Sequence, residues 1–205
     1  MIDYCAMANP AHQPVFTSSD YLVWEEEQVE RHEFLDGEVF AMAGAEDKHV
    51  TVSMNLMVAL HQHLRSSPCR TYASDMRLHV EKADAYFYPD VFVTCSKKDL
   101  ESSKVKTEPI FIAEILSPST AAYDRGLKFE HYRTIETLQE YAIIDPQRRH
   151  TDCYRKGVDG LWVLHPFGVD ETVVLKSMAL DIAFADLFAK VDGINPPKDS
   201  PFSAL

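Results

Sequence analysis

The sequence predicts an α/β fold in which a mixed β-sheet is flanked by helices. Short apolar segments with the composition of β-strands recur along the chain, a segment over 47–65 has the periodicity of an amphipathic helix, and the two kinds of segment alternate. Of the 205 residues, 46% are hydrophobic and 25% are charged, as in ordinary globular proteins. We therefore expect one domain over 17–190, an N-terminal tail over 1–16 and a C-terminal tail over 191–205.

Local signals predict each element. The capping residues over 17–20 begin a short helix that ends near 25–27, and Asp36-Gly37 forms the turn of a hairpin within 31–42. The helix over 47–65 carries an apolar stripe that includes Val50 and Met54. Asp124 is predicted to cap a helix that runs to 135, and a last helix covers 183–190. Further strands are expected over 70–74, 77–80, 86–95, 109–116, 140–145, 149–154, 161–165 and 172–175.

The net charge limits the classes of partner. A formal charge of −12 repels polyanions at long range, so it argues against a protein that coats nucleic acid or binds an anionic membrane. No apolar run approaches the length of a membrane-spanning helix. The stretch over 97–156 has 11 basic and 10 acidic residues, so an anionic ligand meets the least repulsion there.

The cysteines indicate a reducing compartment. Cys5, Cys69, Cys95 and Cys153 are far apart and form no Cys-x-x-Cys pair, and no secretory signal is recognisable. We therefore expect four free thiols and a cytoplasmic location.

Carboxylates interrupt two of the predicted strands. Glu114 lies within the apolar segment over 111–116, and Asp90 lies within the segment over 86–95. Because an ionised carboxylate is costly to bury, each must be paired with a cation or bind a metal. A single strand carboxylate is most simply explained by an Arg or Lys partner. Two of them at neighbouring strand ends favour a shared divalent cation such as Mg²⁺ or Mn²⁺.

The positions of these two acids resemble the pattern of a known protein family. Pro89-Asp90, followed one strand later by Glu114-x-Leu116, resembles the PD-(D/E)xK nuclease superfamily, and more narrowly its Uma-type family. The matching pattern also includes the segments 33–39, 114–120 and 140–146, His49, and Asp124-x-x-x-Lys128-x-x-x-Tyr132. The resemblance covers about 17–190 and implies a restriction-endonuclease-like core. Leu116 stands where the superfamily has a lysine, and the Uma-type pattern places that lysine at Lys128.

The resemblance implies an endonuclease that uses Mg²⁺ or Mn²⁺. It makes Asp90 and Glu114 metal ligands, adds Glu38 as a third acid of the metal site and assigns the catalytic lysine to Lys128. It implies substrate contacts at His49 and Tyr132, and helical spacing puts Lys128 and Tyr132 on one face. The residues alone leave other interpretations open. Glu38 could be a solvent-facing glutamate of the hairpin, and His49 an ordinary histidine at a helix end. Asp124 and Lys128 could form a surface ion pair.

The resemblance implies that the partner is nucleic acid, DNA in the first instance, and that it is bound weakly and through the metal. A homodimer is also expected. One alternative is a catalytically silent nuclease-fold module that binds a protein or dimerises. Another is a metal-dependent hydrolase of small phosphoesters. A serine hydrolase or a Gly-rich phosphate loop is not indicated, because neither motif occurs.

Overall fold

The computed structural model describes residues 17–42 and 44–192. The predicted tails fall almost entirely outside these residues, as does Cys5, so the domain limits stay predictions. Within the described part of the chain, no helix combines the length and the apolarity that a bilayer span requires.

Helices and strands alternate along the described residues. The helices are α1 (Ser18–Glu25), α2 (Asp47–His63), α3 (Lys97–Glu101), α4 (Ala121–Tyr123), α5 (Phe129–Tyr132) and α6 (Phe184–Leu187), and a π-helical turn over Asp124–Lys128 joins α4 to α5. The strands are β1 (His32–Leu35), β2 (Glu38–Ala41), β3 (Arg70–Ala73), β4 (Arg77–Val80), β5 (Ala85–Phe87), β6 (Val91–Thr94), β7 (Val105–Lys106), β8 (Pro109–Ile115), β9 (Glu140–Asp145), β10 (His150–Lys156), β11 (Trp162–Phe167), β12 (Thr172–Leu175) and β13 (Leu180–Ala183).

The strands form two mixed sheets and a hairpin. The first sheet has the order β2-β1-β5-β4-β7, and the second has the order β11-β10-β9-β8-β6-β3. β8 and β9 are parallel, whereas β8 and β6 are antiparallel. Within the described residues, β12 and β13 pair with each other and with no other strand. Mixed sheets with flanking helices confirm the predicted α/β class.

The two faces of the second sheet bury different cores. Phe111, Ala113 and Ile115 of β8 pack in one core with α2 and α6, whereas Ile112 packs in the other with residues of the first sheet and of the 121–132 segment. Because side chains alternate along a strand, Glu114 points to the same side as Ile112. The carboxylate therefore faces the space between the two sheets.

The buried face of α2 agrees with the predicted stripe only in part, because Met57 packs against the core but Val50 and Met54 do not. Val50 and Met54 are 48% and 58% exposed. Asn55 is buried because its amide donates hydrogen bonds to the carbonyls of Leu187 and Ala189, at 3.0 and 2.9 Å. These bonds satisfy a polar side chain on the buried side of the helix. The apolar residues that α2 buries are Val52, Leu56 and Leu60.

The strand predicted over 86–95 is two strands. β5 belongs to the first sheet and β6 to the second, and Tyr88, Pro89 and Asp90 connect them. Pro89 has no N–H to donate to a ladder and restrains the residue before it, which explains why pairing stops there. Asp90 consequently lies at the point where the chain crosses between sheets.

The helix predicted over 124–135 begins earlier, at Ala121, so Asp124 lies inside the helical segment and does not cap it. Thr120 precedes the first turn, and its carbonyl accepts the hydrogen bond from the Asp124 N–H at 2.9 Å. The side chain of Asp124 points into the protein, where it is buried.

The expectation of four free thiols is wrong for two of them. Cys69 and Cys95 form a disulfide with their Cα atoms 4.0 Å apart. Cys69 directly precedes β3 and Cys95 directly follows β6, so the two residues lie opposite each other beside the Arg70–Thr94 pair. Strand pairing thus brings together residues that are 26 apart in sequence. Cys153 is a buried thiol, and burial raises its pKa. The disulfide removes one reason for predicting a cytoplasmic location.

Candidate active site

Asp90 and Glu114 are held together at one end of the second sheet. The Ile115 N–H donates to Asp90 Oδ2 at 2.8 Å, and the Asp90 N–H donates to Glu114 Oε2 at 3.2 Å. The antiparallel register, with Val91 opposite Ala113, brings the two acids to this end. Each carboxylate is therefore oriented by the backbone of the neighbouring strand.

Lys128 reaches the acids from the helical segment. Its Nζ lies 2.9 Å from Glu33 Oε1, 3.2 Å from Glu114 Oε1 and 3.6 Å from Asp124 Oδ1. The hydroxyl of Tyr132 donates to the same oxygen of Glu114 at 2.8 Å. One ammonium group thus faces three carboxylates contributed by three different elements.

Burial sets the electrostatics of this cluster. The side chains of Glu33, Glu114 and Asp124 are 8%, 3% and 4% exposed. Burial raises the pKa of all three carboxyls, and the Lys128 ammonium offsets only part of that rise. Burial alone lowers the pKa of Lys128, but Glu114 and Glu33 outweigh it and the pKa is raised. Lys128 is therefore charged at neutral pH. The three carboxyl groups that it contacts outnumber its single ammonium group.

His49 completes the polar set at the start of α2. Its Nε2 lies 3.0 Å from Asp90 Oδ2. Burial acts to lower the pKa of His49, but the hydrogen bond to Asp90 and the negative charges of Asp90 and Asp124 together outweigh burial, and the pKa is raised. The ring therefore holds a proton toward Asp90 more strongly than a free histidine does.

The carboxylates, Lys128 and His49 line a cavity of about 370 Å³. A volume of this size is within the range of ligand pockets in proteins. Four of the six predicted site residues line the cavity, namely Asp90, Glu114, Lys128 and His49. Tyr132 is fully buried behind Glu114, so it orients that carboxylate and does not reach the cavity.

Glu38 does not line the cavity, whereas Glu33 of the same hairpin does. In the hairpin, Leu35 pairs with Glu38 and Glu33 pairs with Phe40. The side chains of Glu33 and Glu38 therefore share a face, but Glu38 lies about 7 Å closer to the turn and is exposed. The resemblance identified the face, whereas the distance of each acid from the turn decides which one is buried.

Sequence comparison identifies the family. The family model Uma2, described as "Putative restriction endonuclease", matches residues 18–187. The chain belongs to the Uma2 family. A protein of Synechocystis sp., slr1290, is 36% identical over 170 residues, which are 83% of this chain and 90% of that protein. A second, sll1609 of the same organism, is 38% identical over 152 residues, 73% of this chain and 86% of that protein. Both are described as uncharacterized.

A solved structure shares the fold of this Uma2 chain. The crystal structure of a protein from Anabaena variabilis, described as "a putative nuclease belonging to DUF820", superposes with a TM-score of 0.72. The alignment covers 84% of this chain and 97% of that chain at 19% sequence identity. This similarity confirms the predicted nuclease-type fold, and family membership makes the chain nuclease-like.

The donor set of the Uma2 cavity fits a hard divalent cation. Restriction-endonuclease-like proteins usually use a divalent metal. Among the described residues, no three His, Cys, Asp or Glu side chains are arranged as a complete metal cluster. Asp90 and Glu114 are two carboxylates that line the same cavity, and Mg²⁺ is often held by one or two carboxylates together with waters and substrate phosphates. Two protein ligands are therefore sufficient for this kind of site.

The raised pKa of Asp124 has a measurable consequence for stability. The folded protein keeps a proton on Asp124 at pH values where the unfolded chain, near its ordinary value of 3.8, has lost it. Stability contributed by this group is therefore lost as the pH rises from about 3.8 through the folded pKa. We expect Asp124→Asn, which does not titrate, to gain stability relative to wild type over that interval in urea denaturation.

Asp20 provides the control with the opposite sign. Its hydrogen bond with Thr17 lowers its pKa in the folded state, so it contributes stability above its ordinary pKa. Asp20→Asn is expected to lose stability relative to wild type as the pH rises from the lowered folded pKa to about 3.8, and the difference then stays constant at higher pH. Parallel pH curves for the two variants would contradict the assignment of Asp124 to the buried cluster.

Proposed function

We propose that this protein is a nuclease that hydrolyses phosphodiester bonds of nucleic acid, DNA in the first instance, with Mg²⁺ or Mn²⁺ as cofactor. The observation that carries the proposal is the cluster in which the Lys128 ammonium contacts Glu33, Glu114 and Asp124 beside Asp90 in one cavity. Membership of the Uma2 family supports the same class of reaction.

Asp90 and Glu114 are the proposed metal ligands. A bound divalent cation lowers the pKa of water and stabilises negative charge on phosphate oxygens. The backbone N–H groups of Ile115 and Asp90 hold the two carboxylates in place before a metal binds. This orientation by the strands limits the reorganisation that metal binding requires.

Lys128 is the proposed catalytic cation. Because its pKa is raised, it stays protonated and can donate to the attacking water or to a phosphate oxygen as charge develops there. Tyr132 is a positioning residue that holds Glu114 from behind. His49 orients Asp90 at the cavity wall and is placed to contact substrate.

We assign the third acid to Glu33 in place of Glu38. Glu33 accepts the Tyr88 N–H at 3.4 Å and lies 2.9 Å from Lys128, so it helps to hold the lysine in the cavity. Glu38 is exposed and opposes Leu35 near the hairpin turn.

The test is a cleavage assay on labelled DNA and RNA with and without Mg²⁺ or Mn²⁺. We expect cleavage that EDTA abolishes and that Lys128→Ala and Asp90→Ala each reduce by at least about a hundredfold. Lys82→Ala is the matched control, because Lys82 forms a surface pair with Glu136 away from the cavity. Unchanged cleavage in both cavity variants would overturn the assignment. Faster hydrolysis of small phosphodiesters than of polymers would instead favour the small-substrate alternative.

A dimerising module without catalysis is the second candidate. β11 is an edge strand of the second sheet, and its side chains Val163 and Leu164 are exposed. An open strand edge with exposed apolar side chains is a typical site for pairing with another chain. Sedimentation analysis of wild type and Val163→Lys tests this. A dimer that the substitution dissociates, together with inactivity in the cleavage assay, would support the module over the enzyme.

A further inference from the structure

Part of the cavity wall is apolar. Phe40, Ala41, Met42 and Tyr123 line it, together with the small residues Gly44 and Ala45. Phe40 pairs with Glu33 in the hairpin, and the Tyr123 ring lies 5.6 Å from the Lys128 ammonium. Two aromatic rings therefore adjoin the charged cluster from two different elements. Such a wall has no role in holding a metal or a phosphate.

The charged groups are recessed. The side chains of Glu114 and Lys128 are 3% and 9% exposed, so a scissile phosphate has to enter the cavity to reach them. Among the described residues that line the cavity, Lys128 is the only lysine or arginine, and it already contacts three carboxylates. The lining thus lacks the cations with which proteins usually hold the phosphates of a duplex.

We infer that the cavity binds one unpaired nucleotide, with its base against Phe40 and Tyr123 and its phosphate at the acid cluster, so that the substrate is single-stranded or locally unpaired nucleic acid. This inference rests on the proposed nuclease function. Base–aromatic stacking adds to the affinity of proteins for single strands, and the stacking contact itself is not an ionic one. A stacked base therefore supplies affinity that the net charge of −12 does not.

Base pairing opposes this mode of binding in a duplex. A paired base must leave its stack before it can enter the cavity, and the unpairing free energy reduces the apparent affinity. An unpaired base carries no such cost. We therefore expect kcat/KM for a single strand, or for a duplex with an internal bubble, to exceed that for the perfect duplex of the same sequence by at least about tenfold.

Substitution of Phe40 tests the stacking wall directly. Loss of one stacked base costs about 5- to 150-fold, and Phe40→Leu is expected to lose activity on single strands in this range while Phe40→Tyr, which keeps a ring, retains it. Phe167→Leu makes the same change at a half-buried phenylalanine of β11 that does not line the cavity. It is expected to leave activity unchanged. Melting temperatures verify that each variant folds.

The measurements use labelled oligonucleotides of DNA and of RNA as single strand, bubble and perfect duplex. Equal rates on single strand and duplex, or full activity of Phe40→Leu, would overturn the inference. Fluorescence anisotropy with Ca²⁺ in place of Mg²⁺ addresses binding without turnover. A protein that binds single strands through Phe40 but cleaves nothing supports the inference and contradicts the proposed function. A protein that binds duplex as tightly as single strand overturns the inference, whether or not it cleaves.

Discussion

Lys128→Met is expected to destabilise the protein by about 3–5 kcal/mol at neutral pH and to abolish cleavage. Removing one partner of a buried ion pair leaves the other charge uncompensated, and here the substitution leaves Glu33, Glu114 and Asp124 together. Protonation of these acids relieves part of the cost, so the loss of stability should be smaller at pH 5 than at pH 8. Urea denaturation of wild type and variant at both pH values measures it.

Two further variants separate charge from packing. Lys82→Met removes a lysine from an exposed pair with Glu136 and is expected to change stability by no more than about 0.5 kcal/mol. Adding Glu33→Gln and Glu114→Gln to Lys128→Met removes two of the three carboxylates that have lost their cation. The triple variant should regain much of the lost stability without regaining cleavage. If Lys128→Met unfolds at the wild-type urea concentration at pH 8, the lysine does not hold this cluster.

Binding of Mg²⁺ or Mn²⁺ is expected to raise the melting temperature of wild type but not of Asp90→Asn. At a metal concentration one hundred times the Kd, a ligand that binds only the folded state adds about 2.7 kcal/mol. For a protein of this size each kcal/mol corresponds to about 2–4 °C, so the expected shift is about 5–11 °C. Calorimetric titration gives the Kd needed to choose that concentration. An equal shift in Asp90→Asn would place the metal elsewhere.

The same measurement discriminates between the two candidate third acids. Because Glu33 lies in the cavity and Glu38 does not, Glu33→Gln is expected to weaken the metal-dependent shift and Glu38→Gln to leave it intact. The opposite result would support the assignment to Glu38 that the sequence pattern implies. Both substitutions remove one carboxylate from the same face of one hairpin, so each serves as the matched control for the other.

Much of the local structure follows from the sequence. Asp36-Gly37 specifies a two-residue hairpin turn, the capping box of Thr17 and Asp20 begins α1, and the apolar run that contains Glu114 forms the buried strand β8. The carboxylates at Asp90 and Glu114 stand out for the same reason, because a charge in a buried strand requires a partner. Local signals of this kind act over a few residues and are therefore visible in the chain.

The tertiary structure decided which groups meet. Val50 and Met54 of α2 fit the apolar periodicity but are exposed, whereas the buried face includes Asn55, whose amide bonds to the carbonyls of Leu187 and Ala189. Strand pairing joined Cys69 to Cys95, and the division of 86–95 between two sheets placed Asp90 at their junction.

The sequence thus determined which residues are candidates for the chemistry. Their positions in three dimensions determined which of these candidates lie together in the cavity. Glu33 and Glu38 are equivalent in type and in strand face, but only Glu33 lies within 2.9 Å of the Lys128 ammonium. Asp124 has the spacing of a surface ion pair with Lys128, yet burial makes it part of the cluster. Burial and electrostatic coupling depend on every element packed around a group, so they exist only once the chain has folded.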